Sequence, residues 1–141
     1  MSYLNFNTKL KDANTICKSL LPEEKKDVDC LTSKNLVFLK VHYCNNIPAG
    51  FFAIKKDPDS KYKDSYAILA VSPEYRGKGI ASSLVKSGIS WFKKSEFDFL
   101  FWPCRIDNEA SNKLAKSSGF KFCWKKDNGK SNVYKIEKKH L

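Results

Sequence analysis

Apolar residues occur along this chain in short runs, and the spacing within each run predicts a strand or a helix. Leu36–Tyr43 and Ala49–Ile54 are rich in β-branched and aromatic residues and flank the turn residues Asn45 and Asn46, which predicts a β-hairpin. Ser65–Val71 is almost continuously apolar, as expected of a strand that is covered on both faces.

The second half of the chain adds three predicted strands and a helix. Phe97–Trp102 is another buried run, and Phe120–Trp124 and Val133–Ile136 flank the turn signal Asp127–Gly129. Between the buried runs, apolar residues at helical spacing predict a helix from about Gly79 to Lys93.

A further helix is bounded by its capping residues. Asp107 or Asn108 would cap its start, it would run through Ser117, and Gly119 is placed to end it.

The N-terminal region predicts an edge strand and two helices. Tyr3–Phe6 alternates weakly, Thr8 would cap a helix to about Leu20, and Pro22–Glu24 would begin a second, short helix. The element order is then β-α-α-β-β-β-α-β-α-β-β, with about four helices and six to seven strands. This order predicts an α/β (α+β) fold whose mixed, mostly antiparallel sheet surrounds one central βαβ unit.

Length and composition favour a single globular domain over residues 1–141. The chain has 141 residues, of which 42% are hydrophobic, enough for one packed core. No apolar run reaches about 18 residues, so we expect no membrane span. The N-terminus lacks a basic-then-apolar leader pattern, which predicts a cytoplasmic protein.

The number and spacing of the cysteines do not indicate a metal site or a set of disulfide bonds. The five cysteines are an odd number and none has C-x-x-C spacing, so we expect free, mostly buried thiols and no metal.

The positive charge lies mainly in the second half of the chain. The net charge is +11, and residues 71–141 contribute +8 of it, from fifteen Lys or Arg and seven Asp or Glu. This excess favours a partner with phosphates, either nucleic acid or a phosphorylated small molecule, although solvated lysines would give the same count.

The segment between the first buried run and the following helix has the composition of an anion site. A helix N-terminus leaves backbone N–H groups unpaired, Gly77 and Gly79 permit close approach to them, and Arg76 and Lys78 add positive charge. We therefore predict a phosphate cradle over Arg76–Ser82, the alternative being a tight turn that holds no ligand. The glycine spacing matches neither a Walker loop nor a dinucleotide fingerprint.

The same segment resembles a known family. Arg76–Ala81, RGKGIA, matches the Arg/Gln-x-x-Gly-x-Gly/Ala signature of the GNAT superfamily of acyl-CoA N-acyltransferases, and Ala70–Tyr75 is similar to its usual lead-in. Asn108–Leu114 followed by Lys116–Phe120 resembles the second motif of that family, at the expected distance.

The resemblance implies a GNAT-like fold and acetyl-CoA as cosubstrate. Ala70 and Val71 would pair with the pantetheine arm, the Val71 N–H would polarise the thioester carbonyl, and Asn108 and Ser111 would contact the arm from the other side. The backbone that holds the pyrophosphate would be that of Arg76, Gly77, Lys78, Gly79, Ile80, Ala81 and Ser82.

A proline supports a crevice at this position independently of the family. Pro103 has no N–H for a ladder bond, so the strand that ends at Trp102 should part from its neighbour there. Strands that part at their carboxyl ends open the kind of crevice in which α/β sheets bind ligands. The alternative is that Pro103 only starts a loop.

Both catalytic side chains that are usual in the family are missing. Ala115 occupies the position of the general-acid tyrosine, and Ser65 occupies that of the glutamate base. The candidates that remain are Ser111, one turn before Ala115, and Asp64, acting through water. Further candidates are Tyr66, Tyr75 and Cys104.

The resemblance implies an N-acetyltransferase that moves an acetyl group from acetyl-CoA to a primary amine of a small molecule or protein by direct attack. The alternatives are an acyl-CoA-binding module with little or no turnover, and a nucleic-acid-binding domain that uses Phe122, Trp124 and Tyr134. The first interpretation needs no nucleic acid or membrane partner. The basic surface favours an acidic acceptor, and a monomer and a homodimer are both compatible with the sequence.

Overall fold

We describe a computed structural model of the chain, which covers residues 3–22, 24–25 and 31–141, with side chains from residue 6 onward. In this part of the chain the α-helices are α1 (Tyr3–Ser19), α2 (Ile80–Lys94) and α3 (Glu109–Ser117). The strands are β1 (Leu36–Cys44), β2 (Ile47–Lys56), β3 (Asp64–Val71), β4 (Phe99–Arg105), β5 (Lys121–Lys126) and β6 (Ser131–Glu137). Short 3-10 turns cover Pro73–Tyr75 and Lys138–His140.

The predicted sheet is confirmed. Its six strands lie in the order β1-β2-β3-β4-β6-β5, with β3 and β4 parallel and every other pair antiparallel. Helix α2 is the crossover of the central βαβ unit. Both predicted tight turns are present, because Asn45 and Asn46 and the segment Asp127–Gly129 all have positive φ.

The first element corrects the sequence interpretation. Tyr3–Phe6 is helical, and Thr8 lies inside α1 instead of capping it. Further along α1, Ala13 and Ile16 are fully buried, and this part of the helix packs against β1 and β2. The packing stabilises the helix more than the weak alternation of Tyr3–Phe6 favours a strand.

Where the sequence predicts the second, short helix, the described residues form a turn. The Leu21 carbonyl accepts hydrogen bonds from the N–H groups of Glu24 and Lys25 at 2.9 and 3.2 Å. Glu23 and residues 26–30, where this helix would continue, lie outside the described residues.

The helices cover the two faces of the sheet unequally. We call the faces the α2/α3 face and the α1 face. The larger cluster of buried residues lies on the α2/α3 face and includes Phe52, Leu84 and Trp102, and Gly88 lets α2 approach β2 so closely that a Cβ there would lie 2.2 Å from the Phe52 ring. On the other face, α1 packs on β1, β2 and β3.

Strands β3 and β4 separate at their carboxyl ends. Their pairing covers only Asp64–Tyr66 against Phe99–Phe101, after which β3 continues to Val71 and β4 to Arg105. The predicted crevice is therefore confirmed, but its predicted cause is wrong. The strands have parted before Pro103, and β4 runs through this proline while pairing with Val133 of β6.

Among the described cysteines, Cys44, Cys104 and Cys123 are free thiols, as expected. Cys17 and Cys104 are buried, and Cys44 and Cys123 are half-buried. Cys30 lies outside the described residues.

Candidate active site

The separated ends of β3 and β4 enclose a cavity of about 750 Å³. Its walls come from four parts of the chain: the end of β3 with the turn into α2, the end of β4 with the turn into α3, the exit of α1, and the β5–β6 hairpin. Ala67–Val71 and Trp102–Arg105 form its two sides.

The β3–α2 junction presents bare backbone to the cavity. Gly77 and Gly79 both have φ of +79°, and a Cβ on either would point into open space. Gly79 caps α2 in the left-handed conformation with no side-chain cap, so no capping side chain occupies the N–H groups of the first turn. Of the segment Arg76–Ser82, all residues except Lys78 line the cavity.

Of the two cations of this junction, Arg76 lines the cavity and Lys78 does not, and both side chains contact other groups of the protein. The Arg76 Nε donates to the Val71 carbonyl at 3.0 Å, and its guanidinium binds the Glu24 carboxylate at 2.9 Å. The Lys78 ammonium lies 5.4 Å from the centre of the Tyr75 ring, and Lys78 is not among the lining residues. The predicted contribution of Lys78 to the cavity charge is thus absent from this arrangement.

The end of β3 gives the cavity a free backbone edge. Ala70 and Val71 pair with Phe51 and Gly50 of β2 on one side, whereas β4 has already left on the other. An unpaired strand edge offers N–H and C=O groups to an extended ligand. Ala70 and Val71 both line the cavity along this edge, where the Val71 carbonyl also accepts a hydrogen bond from Arg76.

The β4–α3 junction is built from side chains. The Asn108 side chain caps α3 by accepting from the Ser111 N–H at 3.1 Å, and both residues line the cavity. The Asn112 Nδ2 donates to the carbonyls of Arg105 and Asn108, each at 2.8 Å. These bonds fix the turn that carries Asn108.

The same asparagine ties the turn to β6. The Asn112 Oδ1 accepts from the Asn132 Nδ2 at 2.9 Å and from the buried Tyr134 hydroxyl at 2.6 Å. All four hydrogen-bonding positions of the Asn112 amide are thereby used. At the edge of this turn, Arg105 binds Asp107 at 3.1 Å, and this hydrogen bond lowers the pKa of the Asp107 carboxyl.

The structure brings one of the two predicted catalytic residues to the cavity. Ser111 lines it, and no hydrogen bond of its hydroxyl is found within the described residues. Asp64 lies at the opposite end of β3, paired with Phe99, about 20 Å along the strand from Val71. Because the cavity forms only where the strands have parted, a residue at the paired end does not line it.

The two positions that lack the usual side chains are fully buried. The Ser65 hydroxyl donates to the Phe99 carbonyl at 2.8 Å, and Ala115 packs in the α2/α3 core. Neither residue lines the cavity. A larger side chain at position 115 would have to displace packed neighbours.

Among the remaining candidates, Tyr75 and Cys104 line the cavity and Tyr66 does not. Desolvation raises the pKa of the Tyr75 hydroxyl, and burial raises the pKa of the Cys104 thiol to about 12. At neutral pH the Cys104 side chain is therefore a neutral thiol in the cavity wall.

The model of the acetyltransferase (GNAT) family matches residues 9–120, which include every part of the cavity wall except the β5–β6 hairpin. The chain belongs to the GNAT family of acetyltransferases. Its three described helices and six-stranded sheet are consistent with the GNAT fold.

Similar proteins agree with this assignment. N-alpha-acetyltransferase 30 from Saccharomyces cerevisiae is 32% identical over 77 residues, which are 53% of this chain and 44% of that protein, so the match spans less than half of the relative. The ribosomal-protein-alanine N-acetyltransferase of Brucella melitensis superimposes with a TM-score of 0.70 over 97% of this chain and 96% of its own, at 15% identity. The protein yncA of Salmonella typhimurium, solved with its cofactor acetyl-CoA, has a TM-score of 0.62 at 17% identity, covering 70% of this chain and 63% of that one.

The cavity of this GNAT chain is also lined by two segments outside the strand–helix junctions. Leu20, Leu21 and Glu24 line it at the exit of α1, and Lys126 and Asp127 line it at the β5–β6 hairpin. These segments are far apart in sequence, and no local pattern connects them. The supporting role of Asn112 did have a signal in the sequence. Asparagine is unfavourable in the middle of a helix unless its side chain makes hydrogen bonds.

Two further observations concern the described residues. They contain no group of three or more His, Cys, Asp or Glu that could hold a metal ion. None of the described helices combines the length and apolar character needed to cross a bilayer.

Proposed function

We propose that residues 1–141 form one N-acetyltransferase domain, which moves the acetyl group of acetyl-CoA to a primary amine by direct attack. The observation that carries this proposal is a single cavity that joins bare backbone at a helix N-terminus to a free strand edge. The first feature suits a pyrophosphate and the second suits an amide-containing arm.

In this proposal the two junctions hold the two ends of the cosubstrate. The backbone of Arg76–Ser82 binds the pyrophosphate, where the open space above Gly77 and Gly79 admits a phosphate group. The free edge at Ala70 and Val71 pairs with pantetheine, and Asn108 and Ser111 contact it from α3.

The chemistry then requires positioning more than reactive side chains. The amine nitrogen bonds to the thioester carbon, the C–S bond breaks, and the departing thiolate is protonated while the nitrogen loses a proton. The Val71 N–H stabilises the carbonyl oxygen as negative charge develops. Holding the two reactants in contact can by itself supply about 7–11 kcal/mol of the barrier.

The cavity wall favours direct attack over an acyl-enzyme. With a pKa of about 12, Cys104 would be a thiolate in only about one molecule in 10⁵ at pH 7. The Ser111 hydroxyl is the side chain that we propose for proton transfer to the leaving sulfur. Asp64 is not carried into this mechanism, because it lies at the other end of β3.

The acceptor that we propose is the α-amine of a polypeptide. The relative from Saccharomyces cerevisiae is an N-alpha-acetyltransferase, and the Brucella melitensis protein is named for alanine of a ribosomal protein.

The proposal is tested by incubating the protein with acetyl-CoA and a library of peptides with free α-amines, lysine peptides and small amines. We expect release of free CoA together with a mass gain of one acetyl group on α-amine peptides. Calorimetry with acetyl-CoA should show binding to folded protein. If no association occurs at millimolar acetyl-CoA, the assignment of the junction is wrong.

One observation favours a second function, binding of acyl-CoA without turnover. The positions of the two usual catalytic side chains, Ser65 and Ala115, are buried and do not reach the cavity. Binding of acetyl-CoA with no acetylated product across the whole library would support this function instead.

A further inference from the structure

The last two strands end the sheet in an exposed edge. In the part of the chain that the structure describes, strand β5 has β6 on one side and no strand on the other. Five of its six residues are exposed, among them the aromatic residues Phe122 and Trp124, with exposed fractions of 53% and 49%. Two large aromatic side chains are therefore accessible to a partner along this edge.

The edge is also positively charged. Lys121, Lys125 and Lys126 are exposed, and within residues 3–22, 24–25 and 31–141 none of them has an ion pair. By contrast, Lys135 on the neighbouring strand binds Glu137 at 2.9 Å. Strand β5 therefore presents uncompensated charge along its length.

A bulge places the two aromatic residues on opposite faces. The register shifts between Phe122 and Trp124, so that Phe122 contacts Tyr134, which is buried in the α2/α3 core, and Trp124 contacts Phe101 at a ring distance of 5.6 Å. Phe101 points to the α1 face, because its neighbours Leu100 and Trp102 lie in the other core.

Trp124 lies close to the cavity. It pairs with Val133, which pairs in turn with Pro103 of the cavity wall, so two strand spacings, about 10 Å, separate the Trp124 and Pro103 backbones. The same strand reaches the cavity at Lys126. A chain that leaves the cavity beside the hairpin would meet this edge next.

The charge and the bulge decide which kind of partner fits. A second copy of this +11 chain would bring like charges to the edge. Nucleic acid would need aromatic rings that share a face, but Phe122 and Trp124 point apart and Tyr134 is only 1% exposed. An acidic polypeptide meets neither obstacle.

We propose that the outer edge of β5, with Trp124 and the lysines beside it, binds an acidic, extended segment of the acceptor polypeptide a few residues after its acetylated α-amine. The register places Lys125 on the α2/α3 face and Trp124, with Lys121, on the α1 face. In a segment of alternating acidic and apolar residues, the acidic side chains face Lys125, the apolar side chains contact Trp124, and the backbone pairs with the free edge. This inference rests on the proposed function, because it names the acceptor of the same site.

The test compares three peptides that share one N-terminus selected from the library. The first peptide ends after the shared N-terminus, the second continues with alternating Val and Glu, and the third continues with alternating Val and Lys. At low salt we expect kcat/KM to be at least tenfold higher for the Val-Glu peptide than for the Val-Lys peptide. The advantage should shrink as salt is added.

Charge reversal provides the decisive variant. K121E/K125E should abolish or invert the preference while leaving turnover of the short peptide unchanged, since neither lysine lines the cavity. K93E/K94E is the matched control, because it makes the same charge change at exposed residues of the α2 C-terminus. It should keep the preference. W124A should lower kcat/KM for the Val-Glu peptide several-fold.

A binding measurement separates failure of this inference from failure of the proposed function. Tryptophan fluorescence is followed while a Val-Glu peptide with an already acetylated N-terminus is added to the CoA-saturated protein. Salt-sensitive binding that K121E/K125E removes would support the edge site even if no peptide were acetylated. Equal kcat/KM for the Val-Glu and Val-Lys peptides, or equal effects of the two charge reversals, would overturn it.

Discussion

The β3–α2 and β4–α3 junctions face each other across the cavity, and each carries the chain from a strand of the parallel pair into a helix. The first is capped by Gly79 without a side-chain hydrogen bond. The second is capped by Asn108, and Asn112 satisfies four further hydrogen bonds behind it. One junction leaves its donors available, and the other uses its polar groups internally.

The comparison shows how a ligand site and its support can be separated within one fold. A site for phosphate needs unpaired N–H groups and close approach, both of which side chains would obstruct. A wall that must keep its shape needs every buried polar group satisfied. Variants of the two junctions should therefore affect ligand binding and stability in different proportions.

The largest expected effect is on acetyl-CoA binding by G79E. The glutamate would place a bulky negative charge in the cradle, and we expect the Kd for acetyl-CoA to rise at least 100-fold in calorimetry. G119E is the matched control, because Gly119 also has positive φ and open space around it but lies outside the cavity lining.

Both glycine variants should lose about 1–2 kcal/mol of stability from the strained backbone. Only G79E should lose acetyl-CoA. Equal acetyl-CoA affinities of the two variants would remove the basis for a phosphate site at this junction.

The second expected effect is on stability, at the other junction. N112A removes the partner of the buried Tyr134 hydroxyl and two donors to the Arg105–Asn108 turn, so we expect a loss of about 2 kcal/mol in denaturant unfolding. The Kd for acetyl-CoA should rise only several-fold. The control K113A, at the exposed neighbouring position of α3, should change neither quantity measurably. If N112A lost more acetyl-CoA affinity than G79E, the β4–α3 junction and not the β3–α2 junction would be the main ligand site.

A smaller effect sharpens the role of Asn108. N108A loses the cap of α3 and should cost about 1 kcal/mol. N108D keeps the cap and should retain full stability. If the Asn108 amide also donates to the ligand, N108D will bind acetyl-CoA more weakly than wild type although it is equally stable; unchanged affinity would limit Asn108 to capping.

The smallest effect depends on pH. The Arg105 hydrogen bond lowers the pKa of Asp107, so its stabilising contribution is present above the pKa of an unfolded aspartate, about 4, and is lost as the pH falls through the lowered value. Wild type should therefore be slightly more stable than D107N at pH 7. The two unfolding curves should converge in acid, and a difference that grew as the pH fell would contradict this origin.

The β3–α2 junction could be predicted because its signals are local. Gly77, Gly79 and the beginning of the helix lie within a few residues, and the φ values that they need follow from the turn itself. The capping role of Asn108 was predictable for the same reason. The separation of β3 and β4 was also predicted, but from Pro103, which is not where the strands part.

The contacts that complete the cavity could not be predicted, because they join residues that are far apart in the sequence. Asn112 meets its partners in β6 20 and 22 residues later, and Arg76 meets Glu24 across 52 residues. Asp64 looked available from its neighbours, yet the direction of β3 carries it to the paired end of the strand. Pairs at such separations are chosen by the packing of the whole sheet.

The amino-acid sequence by itself determined most strand and helix periods, the glycine turn into α2, the cap of α3 and the membership in an acyltransferase family, because each depends on residues within one or two turns of the chain. Only the tertiary structure decided that Tyr3–Phe6 is helical, that Ser111 and not Asp64 reaches the cavity, and that α1 leaves β5 as a charged, uncovered edge. Those outcomes depend on which surfaces compete for burial, and that competition involves residues that no local pattern brings together.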